Sequence, residues 1–359
     1  MGHIKSNESN GGIQINKTII ICNHQKTKME YRQIGETDLK CSVITFGAWA
    51  IGGWRWGGTD RNESIKAIKA AYAEGVTSID TAPAYGQGLS EEIVADAIKG
   101  IPRDRIQILT KFGLRWDVKQ GTFFFKSKSD GVEIEMYKLA SKESIVKECE
   151  DSLRRLKMDY IDLYQIHWHD VTTTVHDTME AVLQLKEQGK IREIGVCNYN
   201  VELMKEAEQT VKLASDQVWY SMMLRDIEKD LVPYCIENKK SIIAYSPLHR
   251  GILTGKIKPG HVFNEGDHRQ ELSHYSDENI KRTNEMLYKL RPLAASKNAS
   301  LAQLVLRWTI DQPGITIALA GARNAEQAVQ NAKAVNIKLS KEELNFIAAQ
   351  LEELQLQPA

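Results

Sequence analysis

The sequence predicts a closed parallel (β/α)8 barrel of the TIM type, preceded by a β-hairpin and carrying two additional helices. Three observations support this fold class. Eight short apolar, β-branched runs recur at Val43–Ala48, Ser78–Pro83, Ile106–Gly113, Tyr160–His167, Glu193–Cys197, Asp216–Tyr220, Ser241–Ser246 and Ile315–Gly321. Between them, Ser64–Glu74, Glu91–Ile98, Lys142–Lys157, His176–Gln188, Val201–Gln209, Glu228–Asn238 and Leu301–Ile310 place apolar residues at the three- and four-residue spacing of amphipathic helices. The runs are too apolar to leave one face in water, as strands covered by helices must be.

Each element follows from local chemistry. Residues 1–28 are polar and rich in Asn and Lys, with one short apolar run at Ile19–Cys22. They read as a disordered extension rather than a secretory signal, with Met29 as a second candidate start. Tyr31–Ile34 and Leu39–Ser42 form a hairpin placed to plug the barrel floor. Asp60 with Glu63, and Ser340 with Glu343, have capping-box spacing at helix starts, and Gly75 and Gly189 close helices. The two additional helices fall at Asp277–Ser296 and Lys341–Leu354. The long segments Gly113–Leu139 and Gly255–Ser276 read as lids over the mouth, and no linker divides residues 29–359 into separate domains.

Composition narrows the function. Lys plus Arg and Asp plus Glu are 47 each among 359 residues, which gives no electrostatic reason to expect nucleic acid or an anionic membrane as partner. No stretch approaches the ~20 apolar residues needed to span a bilayer. The five cysteines are scattered and odd in number, the usage of a reducing cytoplasm. Nothing in the sequence sets an oligomeric state.

Barrel enzymes work at the carboxyl ends of their strands. Asp80 and Tyr85 follow the second strand, Lys111 ends the third and His167 ends the fourth. Each has an ordinary structural alternative: a turn cap, a rim aromatic, a solvated strand end, a satisfied polar residue. Together they are costly to bury unless they pair. Pairing has a chemical purpose, because an ammonium beside a phenol lowers its pKa while a carboxylate holds the ammonium charged. The set is then a proton donor for an oxygen that gains charge.

The segments Ile79–Gly86, Leu109–Gly113, Tyr160–His167, Ile194–Asn198, Tyr245–Leu248 and Arg250–Lys256 closely resemble the motifs of the aldo-keto reductase superfamily, in order, over roughly residues 29–350. Gly47–Gly53 and Trp56–Asp60 resemble its bacterial general-stress and inositol-utilisation branch most. The resemblance implies an NADPH-dependent enzyme that reduces an aldehyde or ketone. Tyr85 would protonate the carbonyl oxygen, Lys111 and Asp80 would lower its pKa, and His167 would orient the carbonyl. Asn198 and Gln217, with Cys197 where serine is usual, would hold the nicotinamide carboxamide. Tyr245 would stack on the nicotinamide, and Ser246, Leu248 and Arg250 would meet the pyrophosphate. Gly321, Arg323, Gln327 and Asn331 match the adenosine end, Arg323 offering a guanidinium fork to a 2′-phosphate.

Several positions depart from the pattern. Cys197 weakens one carboxamide contact, Gln330 stands where glutamate is common, Ser221 where asparagine is common, and His169 interrupts a His-Trp-Pro-Asp pattern. No GxGxxG supports a Rossmann site, and Gly251–Lys256 is one residue short of a P-loop. Three other readings stay open. His167 and His169 alternate on one strand, with His249 at another strand end, as in a metal-dependent hydrolase. Lys111 suits a Schiff-base aldolase. A third class binds NADPH as a regulatory subunit with little turnover. The reductase reading expects no metal.

Trp54, Trp56, Trp116 and Trp168 lie on mouth loops and are the expected substrate-pocket walls, against core roles for each. Such walls suit a sugar, a polyol-derived or an aromatic carbonyl as the small-molecule partner. A carbohydrate would look to Arg55, His169 and Asp170 for hydroxyl partners.

Overall fold

The structure is a computed structural model that describes residues 28–129 and 131–357. The polar extension, apart from Lys28, lies outside the described residues. A hairpin of β1 (Tyr31–Gln33) and β2 (Lys40–Ser42) comes first. Eight parallel strands then close the barrel in chain order: β3 (Ile44–Gly47), β4 (Ser78–Asp80), β5 (Gln107–Phe112), β9 (Ile161–Ile166), β10 (Ile191–Cys197), β11 (Ser215–Trp219), β12 (Ser241–Tyr245) and β13 (Ile315–Gly321). The expected barrel is the one observed. Some strands end earlier than the apolar runs, and β4 is the clearest case. Its run continues through Thr81-Ala82-Pro83, but Pro83 has no N–H for the ladder and the chain turns there, with Tyr85 N–H donating to Ala82 O at 3.1 Å.

The outer ring consists of α1 (Arg61–Ala73), α2 (Leu89–Ile98), α3 (Lys142–Leu156), α4 (Val175–Glu187), α5 (Val201–Ala207), α6 (Leu231–Glu237), α8 (Leu301–Asp311) and α9 (Ala325–Ala332). The expected additions are α7 (Asp277–Ser296) and α10 (Lys341–Glu352). Helix α9 is the barrel helix that apolar spacing missed, because only Ala328, Asn331 and Ala332 of its eight residues are buried. Of the two expected capping boxes, Ser340–Glu343 closes in both directions. Asp60 caps Glu63 N–H, but the Glu63 side chain turns to Lys66 instead.

The hairpin reaches the floor as expected. Ile34, Leu39 and Cys41 pack under the inward-facing Leu109, Leu163, Ile243 and Ile317, which leaves the top as the open end. A buried carboxylate fastens the bottom edges of three strands. Asp162 on β9 accepts from Arg103 at 2.6 Å, Arg192 at 2.9 Å and the Ile108 N–H at 2.8 Å.

The segment after β5 is not an irregular lid. It folds as a three-stranded antiparallel sheet of β6 (Leu114–Arg115), β8 (Val132–Lys138) and β7 (Thr122–Ser129). The sequence holds the signal: Val132, Ile134 and Met136 alternate with Glu133 and Glu135 after an Asp130-Gly131 pair. The segment after β12 is a strap of short 3-10 turns at His268–Glu271 and Ser273–Tyr275.

Replacing Asp162 with alanine strands the Ile108 N–H and frees two arginines to solvent. A loss of about 2–3 kcal/mol in urea unfolding is expected, and a loss below experimental error would show that the floor does not depend on it.

Candidate active site

The strand register brings four ionisable side chains to one point. Asp80 ends β4, and Lys111 lies one strand over on β5. The Lys111 ammonium donates to Asp80 Oδ1 at 2.6 Å, to Thr81 O at 2.9 Å and to the Tyr85 hydroxyl at 3.1 Å. His167 leaves β9 with its N–H on Phe112 O at 2.8 Å, and its ring meets the Tyr85 ring edge-on with centroids 5.7 Å apart. Tyr85 reaches this point because Gly86 takes a positive φ of 68° and a Cβ there would lie 2.1 Å from Gly52 O. The loop after β3 therefore packs directly on the tyrosine turn, and Trp49 stacks on Tyr85 at 6.1 Å.

Burial decides the protonation of this group, which corrects one sequence expectation. The Tyr85 phenol is pushed up to about 12 by burial; Lys111 pulls against that shift, and Asp80 adds to it rather than opposing it. Because the protonated phenol is the neutral form, Tyr85 keeps its proton throughout the physiological range. Lys111 is held above its ordinary value: burial alone would lower it, but Asp80 and Tyr85 outweigh burial. His167 is driven well below its ordinary range by burial and then by Lys111, so its imidazole is neutral.

From this point a cavity of about 1150 Å³ runs along the strand ends to α9. Cys197, Asn198, Gln217, Tyr245, Ser246, Leu248, Arg250, Gly321, Arg323, Gln327 and Asn331 all line it. Asn198, at φ 58°, accepts from the Tyr245 hydroxyl at 3.0 Å and donates to His167 O at 3.3 Å. Ser246, His249 and Arg250 also have positive φ, as does Gly251 at 105°. The Arg250 guanidinium lies 4.2 Å from the Trp219 ring and 5.3 Å from the Trp49 ring, and its Nε has no hydrogen-bond partner among the described residues. At the outer end Arg323 donates to Trp56 O, and Asn331 donates to Gly321 O at 3.0 Å. Gln330 is engaged by Gln303 of α8 at 3.0 Å.

The inner end is walled by the hairpin sheet. Trp54, Phe124, Phe125, Leu114, Met136 and Trp168 face the cavity. Trp56 lines its other side, whereas Trp116 packs behind into the Trp54–Met136 cluster, so its placement is structural. The Trp54 indole N–H ties the hairpin down through Lys128 O at 3.0 Å. The strap closes from the opposite side, where His268 inserts against Trp49 and Trp56 and its N–H donates to Arg55 O at 3.0 Å. His268 and Arg269 escaped the sequence reading because the strap reaches the site only through the tertiary fold, and Trp49, inside the Gly47–Gly53 motif, had no role assigned to it. Of the expected hydroxyl partners, only Arg55 lines the cavity. Asp170 is buried, accepting from Ala140 N–H and Thr172, and His169 packs on Tyr199.

The histidines of the hydrolase reading are dispersed. His249 is buried on the Ser221 hydroxyl at 2.9 Å, and no three His, Cys, Asp or Glu side chains group as a metal site among the described residues. No helix of those residues is long and apolar enough to cross a membrane.

Comparison with known proteins agrees with this geometry. Residues 43–352 match the aldo/keto reductase family. The chain is 40% identical to the aldo-keto reductase YhdN of Bacillus subtilis over 83% of this chain and 86% of that protein. It is 36% identical to the NADH-specific methylglyoxal reductase of Escherichia coli over 90% and 98% of the two chains. The structure of a glycerol dehydrogenase from Gluconobacter oxydans superposes with a TM-score of 0.80 at 33% identity, covering 92% of this chain and 97% of that one. An aldo-keto reductase from Klebsiella pneumoniae, solved with NADPH, gives 0.66 at 31% identity over 91% and 95%. The chain belongs to the aldo/keto reductase family, and it is an oxidoreductase that works with a nicotinamide cofactor.

The difference in phenolate absorbance between the wild-type protein and Tyr85→Phe should titrate near pH 12, and Lys111→Met should move it higher still. A midpoint near 10 would show that burial does not govern this phenol.

Proposed function

We propose that the protein reduces an aldehyde or ketone to an alcohol with NADPH, and that Tyr85 is the general acid. The observation that carries this is the buried Asp80–Lys111–Tyr85 chain opening beside His167 at the inner end of a cavity large enough for a dinucleotide and a substrate together. A nicotinamide cofactor bound there supplies the hydride that reduces the carbonyl carbon. Tyr85 donates its proton to the carbonyl oxygen. Lys111 stabilises the phenolate left behind, and neutral His167 orients the same oxygen by hydrogen bonding.

The cofactor residues fit their group. Asn198 and Gln217 present amides beside Tyr245 at the inner end, with Cys197 next to them. Arg250, held between two indoles, faces the middle of the groove with Ser246 and Leu248, where a pyrophosphate would neutralise it. Gly321, Gln327 and Asn331 frame the outer end. The Arg323 pKa is lowered by burial and then by Arg269, with Asp267, the partner of Arg269, opposing, and the guanidinium offers a fork to a 2′-phosphate at the outer end. This favours NADPH. A Schiff-base role for Lys111 is disfavoured because the amine is fully buried and held protonated by Asp80. Among the described residues, four free, buried cysteines suit a reducing compartment such as the cytoplasm, and residues 29–359 act as one catalytic unit.

Among the carbonyl classes, the walls favour an aromatic or otherwise apolar aldehyde. Trp54, Phe124, Leu114, Met136 and Trp168 bury apolar surface but offer a sugar's hydroxyls few partners, and each stranded hydroxyl costs about 1–3 kcal/mol.

Tyr85→Phe should lower kcat for NADPH oxidation with an aldehyde by about 10²–10⁴-fold while leaving NADPH binding nearly unchanged; full retention of activity would remove Tyr85 as the acid. Across a panel, kcat/KM for benzaldehydes should exceed that for aldoses of similar size by at least about tenfold. The reverse order would overturn the aromatic assignment and leave the reductase reading intact.

A further inference from the structure

Asp80 has a second carboxylate oxygen that takes no part in the Lys111–Tyr85 contact. It is not left to water. The Gln217 amide on β11 donates to Asp80 Oδ2 at 2.7 Å, and the Gln165 amide on β9 makes a longer contact to the same oxygen at 3.4 Å. The two amides also join each other, with Gln217 Nε2 donating to Gln165 Oε1 at 3.3 Å. Only the NH2 ends can face a carboxylate, so chemistry fixes both amide orientations. Gln165 and Gln217 are buried, at 0% and 2% exposure, where an unpaired amide or carboxylate oxygen would be costly.

The barrel is shaped to hold this pair. Gln165 lies opposite Lys111 in the β5–β9 register and opposite Gly195 in the β9–β10 register. A Cβ on Gly195 would lie 3.1 Å from Gln165 Cγ and 2.8 Å from the Ser215 hydroxyl, so the glycine leaves the space the amide uses. Gln217 lines the cavity and Gln165 does not. With both Nε2 contacts directed inward, the Gln217 carbonyl oxygen accepts no protein hydrogen bond among the described residues.

We infer that Gln165 and Gln217 are positioning residues that clamp the Asp80 carboxylate, and that Gln217 links cofactor occupancy to the Tyr85 proton. The inference rests on Tyr85 being the acid. Gln217 directs its carbonyl oxygen to an amide N–H donor such as the cofactor's carboxamide, while its NH2 stays on Asp80. The chain then runs through Asp80 and Lys111 to the tyrosine hydroxyl. The two amides draw charge away from Asp80, which leaves the Lys111 ammonium freer to stabilise the phenolate. The charged and titratable groups facing this chain are Lys111, Asp80, His167, Cys197, Tyr245 and, from the floor hairpin, Cys41. Removing an amide concentrates charge on the Asp80–Lys111 pair and raises the Tyr85 pKa.

The test uses the NADP⁺ complex, in which the oxidised cofactor's positive charge brings the phenol ionisation down into easy range. The near-isosteric Gln165→Met should lower kcat by about three- to tenfold, the worth of a long hydrogen bond to a carboxylate and of the Gln217 orientation it supports. It should also raise the Tyr85 phenolate midpoint by about half a unit and leave NADPH affinity within about twofold. Gln217→Met should shift the midpoint the same way and weaken NADPH as well. Gly195→Ala, which presses on Gln165 without removing it, should repeat the upward shift and serves if Gln165→Met does not fold. An unmoved midpoint in the folded variants, or a rate loss accompanied only by a lower Tm, overturns the clamp. An inactive Tyr85→Phe alongside an unmoved midpoint rejects the clamp alone, and a fully active Tyr85→Phe rejects the general-acid reading itself.

Discussion

The contact between Lys111 and Asp80 sets the terms for the rest of the site. Both groups are withdrawn from water, and a buried ion pair of this kind rarely stabilises a fold in net terms, because desolvation offsets most of the attraction. What the pair does is hold a positive charge 3.1 Å from a phenol oxygen with little freedom to move. Thr81 O takes another of the ammonium's protons, and two glutamine amides occupy the far side of the carboxylate. The inner barrel surface around β4, β5, β9 and β11 is thus a polar cluster in an otherwise apolar interior.

That cluster places opposing demands on Tyr85. Burial makes the phenol a weak acid, and the ammonium only partly counters this. Such a phenol is proton-loaded before the reaction and is helped by Lys111 mainly once negative charge develops on its oxygen. Strength and timing are separated: the cation is in place beforehand, but its full effect is felt only as the proton leaves. The neutral His167 fits the same logic, since an imidazolium beside Lys111 would add a second buried positive charge.

Around this centre the mouth is closed by two separate covers. The hairpin sheet is anchored by the Trp54 indole on Lys128 O, and the strap by His268 and Glu271 on Arg55. Trp54 and Arg55 are adjacent, so one loop after β3 holds both covers. The aromatic wall of the hairpin and the cationic groove under the strap meet at that loop, which joins the substrate end of the cavity to its cofactor end.

Much of this is legible in the sequence. Strand and helix periodicity gave the barrel, because covered parallel strands are apolar on both faces. The motifs at strand ends located Asp80, Tyr85, Lys111 and His167, because barrel topology puts strand ends at one mouth. The hairpin after β5 was legible in principle, through its alternation and its Asp-Gly pair, but its charged outer face resembles a loop. Helix α9 was hidden by its exposure. Tertiary structure alone decided the rest. Trp116 packs behind the Trp54–Met136 cluster instead of lining the cavity, and Asp170 was claimed by backbone N–H groups. The direction of the Tyr85 shift depended on weighing burial against a single ammonium. Gln165 sits inside the Tyr160–His167 motif, but its role was not readable there, since it exists only where β4, β9 and β11 approach across the barrel interior. Residue type and order determined which groups reach the mouth; depth, distance and competing partners, which are properties of the closed barrel, determined what each can do there.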